Sequence, residues 1–131
     1  MLDASAALVL VLEDEAVAPV MPILDALRTG DAVVPALWWF EVASGLDVAR
    51  RRGRIDAVET ARAVEALVSL NAVRDDEPVD IGVLIAIAER HGVSTYDAAY
   101  VGLALRRGLR LATIDARLAR AARSAGVPLV P

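Results

Sequence analysis

The sequence predicts an α/β protein in which helix greatly exceeds strand and a short parallel sheet is flanked by helices. Two observations carry this. Short apolar runs alternate with longer stretches whose apolar residues recur at helical spacing, the pattern of parallel strands joined by helical crossovers. The helical stretches also end at recognisable stops, Gly30, Gly53 and Gly92. The 131 residues suit one domain, residues 1–131, large enough to bury a core.

Residues 1–3 read as the end of a very short strand. A helix follows from about Ser5 to Leu12 and is broken by "EDEAVAP". A second helix covers about Met21–Arg28. "DAVVPA" (31–36) is a short buried strand that Pro35 ends or places at an edge. A long helix runs through "LWWFEVASGLDVARRR", and another through 56–70 with Asp56 as its N-cap. "NAVRDD" is a candidate short strand. "VDIGVLIAIAERHG" (79–92) is a helix, as is "STYDAAYVGLALRRG" (94–108), whose apolar middle indicates burial. "LRLATI" (109–114) is the best strand in the chain. "DARLARAARSAG" is the last helix and "VPLV" a candidate last strand.

Composition removes several chemistries. There is no cysteine, so disulfides, thiolate zinc sites and thiol nucleophiles are excluded. The one histidine excludes a multi-histidine metal site and makes a Ser-His triad a poor fit. All 14 basic residues are arginine, which removes Schiff-base lysines, the P-loop lysine and the lysine of receiver domains. No run of about 18 uncharged apolar residues is present, so no membrane span is expected. No basic segment precedes an apolar one at the N-terminus, so no signal peptide is read and a cytoplasmic location is the expectation. The net charge of −4 does not draw the chain toward nucleic acid. Locally, Arg50, Arg51, Arg52 and Arg54 form a candidate phosphate-binding patch, or a solvated helix end whose cations complement the dipole.

The acids fall at informative places. Asp3 follows the first strand, Glu41 lies in the first turns of its helix, Asp97 in the first turn of its own, and Asp115 directly after "LRLATI". Strand C-terminal ends in an open α/β sheet share one rim, where ligands bind. Asp3, Glu41 and Asp115 are therefore expected together, and Asp97 joins them if its helix crosses the sheet at the right point. Taken singly, Asp3 and Asp115 are also plausible N-caps, and Ser94-x-x-Asp97 fits a capping box. Glu41 is harder to explain locally. Its neighbours are Trp38, Trp39, Phe40, Val42 and Ala43, and no basic residue lies three or four positions away. Carboxylates sharing a rim repel one another, and a divalent cation removes that conflict. Oxygen-only ligands point to Mg2+ or Mn2+, a set suited to phosphoryl transfer.

"LDAS", "FEVASGL" (40–46), "STYDAAYVGLAL" (94–105) and "LATIDARLARAA" (111–122) resemble, in this order and spacing, PIN-domain ribonucleases, and look most like the VapC toxins of bacterial toxin–antitoxin pairs. The resemblance implies a PIN-like three-layer α/β/α sandwich and Mg2+- or Mn2+-dependent endoribonuclease activity, an in-line attack by water leaving a 5′-phosphate and a 3′-hydroxyl. It implies that Asp3, Glu41 and Asp97 are the three core acids, that Asp115 is the acid of the T-x-D segment with Thr113 as polar partner, and that Ser5 is the small hydroxyl residue after the first aspartate, which orients Asp3 or a metal-bound water. By residue type alone, Ser5 is equally a helix cap. Many PIN domains carry another acid or amide just after the T-x-D aspartate; here Arg117 stands two positions on. Met1 and Leu2 alone precede Asp3, so a short first strand or an upstream start is expected.

The implied partners are RNA, a second copy in a homodimer and a VapB-like antitoxin, with DNA reached only through the antitoxin. Trp38 and Trp39, next to Phe40 and Glu41, are candidates for RNA or antitoxin contact or for the core, and Arg50 to Arg54 for RNA or an acidic antitoxin tail. The competing reading is a non-catalytic PIN-fold module that binds RNA or protein. A receiver-type domain fits the size but lacks the lysine.

Overall fold

The computed structural model describes residues 1–12 and 20–130. The helices are α1 (Ala4–Val9), α2 (Val20–Thr29), α3 (Trp38–Arg51), α4 (Ala57–Ser69), α5 (Ile81–His91), α6 (Thr95–Arg107) and α7 (Ala116–Ser124), with strands β1 (Val33–Val34) and β2 (Val73–Arg74). The strands pair in parallel, Val33 opposite Val73. Single parallel bridges extend this layer: Leu2 to Ala112, and Leu111 to Leu129. The Leu2 N–H donates to the Val33 carbonyl at 3.2 Å and joins the two parts. Numbered by chain position, the five extended segments lie in the order 3-2-1-4-5.

That order reverses between the first segment, ending at Leu2, and the fourth, ending at Ala112. Right-handed crossovers put α1 to α4 on one face and α5 to α7 on the other. The packing agrees: α1 meets α2 and α3, and α3 meets α4, while α6 meets α5 and α7. The result is a short parallel sheet between two helical layers.

Most expected helices are present. Their ends follow local chemistry: Asp56 and Glu59 close a capping box on α4, Asp80 caps α5, and Gly92 and Gly108 end α5 and α6 in the left-handed conformation. Two expectations need correction. The first helix stops at Val9 rather than Leu12, with Leu10 and Val11 in a turn; the "EDEAVAP" break lies outside the described residues. The stretch 109–114 forms no ladder, only bridges at Leu111 and Ala112. The Leu109 N–H is held by the Ala104 carbonyl at the end of α6, and the Thr113 side chain turns to Asp3, which leaves little chain free to pair.

The core joins both layers through Leu2, Val34, Trp38, Leu46, Tyr100, Val101, Leu111 and Leu118. Helices α1 and α3 approach closely at Gly45, where a Cβ would lie 2.3 Å from Leu8 Cδ1. Gly45→Ala gains up to about 1 kcal/mol of helix propensity and loses about 1–3 kcal/mol to overpacking. The expected net effect is a destabilisation of up to about 2 kcal/mol, measurable by denaturant melting. In a Leu8→Ala background the clash is gone, and the same substitution is expected to stabilise.

Candidate active site

Asp3 sits where the strand order reverses, 5% exposed, the one charged residue among the buried side chains described. It follows Leu2, whose bridge to Ala112 brings the fourth segment alongside. Thr113 continues that segment, and its hydroxyl donates to Asp3 Oδ2 at 2.7 Å. The Ser5 hydroxyl donates to the same oxygen. Both hydroxyl protons are thereby engaged, so the 3.4 Å approach of Ser5 Oγ to Thr113 Oγ1 is a contact, not a further bond. Asp3 holds the N-cap position of α1 but makes no capping bond; its side chain faces the two hydroxyls instead. Burial raises its pKa above the ordinary value, against the weaker opposing pull of Ser5, Thr113 and the nearby Ser5 and Ala4 N–H groups.

Glu41 lies in the first turn of α3, where the helix dipole favours an acid. Its Oε2 accepts a hydrogen bond from the Tyr100 hydroxyl on α6. Burial raises the Glu41 pKa; the Tyr100 bond opposes this, and the charges of Asp3 and Asp97 add to it. Glu41 is therefore within electrostatic reach of both Asp3 and Asp97. The Tyr100 phenol is pushed up by burial and then by the Glu41 carboxylate. Tyr100 was not foreseen as a site residue. The available signal was its position three residues after Asp97, on the same side of the helix.

Asp97 closes the α6 capping box: its N–H donates to Ser94 Oγ at 3.0 Å, and its Oδ2 accepts from the Ser94 N–H at 3.2 Å. Arg117 reaches the same Oδ2 at 3.7 Å. Asp115 is the N-cap of α7; its Oδ1 accepts from the N–H groups of Arg117 and Leu118 at 2.6 and 3.0 Å. Its own N–H donates to Thr113 Oγ1, which ties this turn to the hydroxyl pair on Asp3. Glu41 thus feels the charges of Asp3 and Asp97, while Asp115 is engaged in its cap. Among the described residues, no three His, Asp or Glu side chains stand close enough together to hold a metal ion. Asp97 is engaged instead by Ser94 and Arg117, and Asp115 by the first turn of its helix. The donors still suit a hard divalent cation: they are all oxygen, and no ion pair to Asp3 or Glu41 is present among the described residues.

The other candidates separate. Trp38 is fully buried, which places it in the core and removes it as a surface for RNA or antitoxin. It falls on the α3 face with Val42, Leu46 and Ala49, while Trp39 is 37% and Phe40 77% exposed. The two indoles meet edge to face, 4.8 Å between centroids. Arg50, Arg51, Arg52 and Arg54 are exposed around the far end of α3, about 15 Å along the axis from Glu41, and Arg51 pairs with Asp47 at 2.7 Å. No described helix is long and apolar enough to cross a membrane.

The molecule is therefore an open parallel α/β protein with a group of acids at the rim where its strand order reverses. The profile of the PIN domain matches residues 1–124, and the chain belongs to that family. It is 37% identical to Ribonuclease VapC3 of Pyrobaculum aerophilum over 82 residues, an alignment spanning 61% of this chain and 63% of that protein. The crystal structure of PAE2754 from Pyrobaculum aerophilum superposes with a TM-score of 0.71 at 23% identity, over 98% of this chain and 81% of that one, a likeness of fold.

Proposed function

We propose that this chain is an endoribonuclease of the VapC type, dependent on Mg2+ or Mn2+, and the toxin of a toxin–antitoxin pair. The observation that carries the reading is Asp3: a carboxylate buried at the strand switch point, within reach of the Glu41 charge and bearing hydroxyls but no arginine. Membership of the PIN family and the likeness to a protein named as a ribonuclease support RNA as the substrate.

Asp3, Glu41, Asp97 and Asp115 would hold the cation, directly or through waters. When bound, the cation supplies charge neutralisation at the phosphate and makes water a stronger acid. The chain's own side chains prepare the place. Ser5 and Thr113 fix Asp3, and the capping box fixes Asp97. One of the carboxylates accepts the proton of the attacking water. As the water oxygen bonds to phosphorus the P–O3′ bond breaks, and the leaving 3′ oxygen takes a proton from solvent, which gives 5′-phosphate and 3′-hydroxyl ends. Exposed Trp39 and Phe40 beside Glu41 offer a surface for an apolar segment of a VapB-like antitoxin. The Arg50–Arg54 stretch is the candidate for RNA phosphates or an acidic antitoxin tail. A homodimer, a cytoplasmic location and a single domain over 1–131 belong to the same proposal.

One observation favours the second reading, a PIN-fold module that binds without cutting: Arg117 lies against Asp97, where a cation would have to displace it. Thermal melting separates the two. Mn2+ at about 100 times its Kd stabilises a one-site protein by about 2.7 kcal/mol. The wild type is expected to show a rise of that scale, and Asp97→Asn little or none. A wild-type midpoint indifferent to Mn2+ favours the binding module.

A further inference from the structure

Tyr100 is bonded to one of the candidate acids, Glu41, yet no chemistry so far requires it. It is 1% exposed and belongs to the core face of α6. Its hydroxyl donates to Glu41 Oε2 across 59 residues of chain. That bond ties α3 to α6, whose first turns carry Glu41 and Asp97. We infer that Tyr100 is a positioning residue for cation binding: its hydroxyl fixes the Glu41 carboxylate through Oε2, and Oε1, outside that bond, would be the oxygen open to a cation. The inference rests on the nuclease reading above.

Three features support it. Glu41 has no ion-pair partner among the described residues, so the phenol is the group that orients it. A hydroxyl suits the task better than a guanidinium: it directs a carboxylate without neutralising it, and so does not compete with a cation. Asp3 is treated in the same way, since Ser5 and Thr113 both bind Oδ2 and leave Oδ1 outside the hydroxyl pair. In Asp3 and in the half-buried Glu41 alike, one oxygen is anchored by hydroxyl donation, the supporting arrangement that precise ligand geometry needs.

The test is Mn2+ titration of the full chain without RNA, followed calorimetrically in wild type, Tyr100→Phe, Glu41→Gln and the double variant. Tyr100→Phe keeps the ring and removes the hydroxyl. It is expected to weaken Mn2+ binding about 10–100-fold, the usual effect of losing a supporting partner. In the Glu41→Gln background the same change is expected to alter binding by no more than about twofold, because the group it positions is gone. Tyr100→Phe binding Mn2+ as tightly as wild type overturns the inference and leaves the nuclease reading standing. A wild type that binds no Mn2+ defeats both.

A second measurement avoids any folding defect of the variant. The chain has two tyrosines, so labelling at 13Cζ gives two resonances, with exposed Tyr96 as internal reference. Saturating Mg2+ is expected to shift the Tyr100 resonance and leave Tyr96 in place. An unmoved Tyr100 signal contradicts the inference.

Discussion

Asp3→Asn is expected to make the metal-free protein more stable while removing its activity. Burial raises the Asp3 pKa, so the folded state holds this proton more tightly than the unfolded chain does. As pH rises from the ordinary carboxylate range through the raised pKa, the native state must release a proton that the unfolded chain has already lost, and stability falls. Above the raised pKa the penalty is complete. Asparagine never carries the charge. The variant should therefore gain at neutral pH, by about 0.5–2 kcal/mol, as other relieved functional positions do. The gain should shrink as the pH drops through the raised Asp3 pKa into the ordinary carboxylate range. Melting curves of both proteins across pH, in EDTA, check the sign. Cleavage should fall on the order of 10^2–10^3-fold, the scale for losing one preorganised electrostatic group. A variant less stable at neutral pH than the wild type would mean that Asp3 is a structural residue.

Trp38→Ala is expected to be the most damaging single change in the described core, about 3–5 kcal/mol. For a chain of this size that lowers the melting midpoint by roughly 10–20 °C. Trp38 anchors the first turn of α3, and Glu41 follows one turn later on the same helix. Loss of the indole should therefore reduce activity through misplacement as well as unfolding. The Trp38 Nε1–H is buried with no hydrogen-bond partner among the described residues. Trp38→Phe removes that unsatisfied donor together with some volume, and its loss should stay under about 1.5 kcal/mol. Phe40→Ala, at an exposed position of the same turn, should change stability by no more than about 0.5 kcal/mol. Equal losses at Trp38 and Phe40 would contradict this division of the cluster.

The aromatic cluster shows what periodicity can and cannot resolve. Three consecutive helical residues point about 100° apart, so they cannot share one environment. The spacing to Val42, Leu46 and Ala49 selects Trp38 for the core, a choice the neighbouring aromatics alone left open. The helix stops at Gly92 and Gly108 and the box at Ser94 and Asp97 were readable because their partners lie within a few residues. The early end of α1 and the reduction of 109–114 to bridges were not, because they depend on which chain segments lie alongside. Glu41 falls between these cases. Its lack of a local partner signalled a distant one, but Tyr100, 59 residues on, could be named only once α3 and α6 were placed together.

The central claim is that the acids around Asp3 serve cation-dependent RNA hydrolysis, and it is tested most directly by the cleavage reaction. Purified wild type is incubated with total RNA in EDTA, then with excess Mg2+ or Mn2+, and the new ends are sequenced. The account predicts no cutting in EDTA, restoration by either cation, and 5′-phosphate ends that are absent with Asp97→Asn. Cutting in EDTA at the cation-supplemented rate, or an Asp97→Asn variant as fast as wild type, would contradict it.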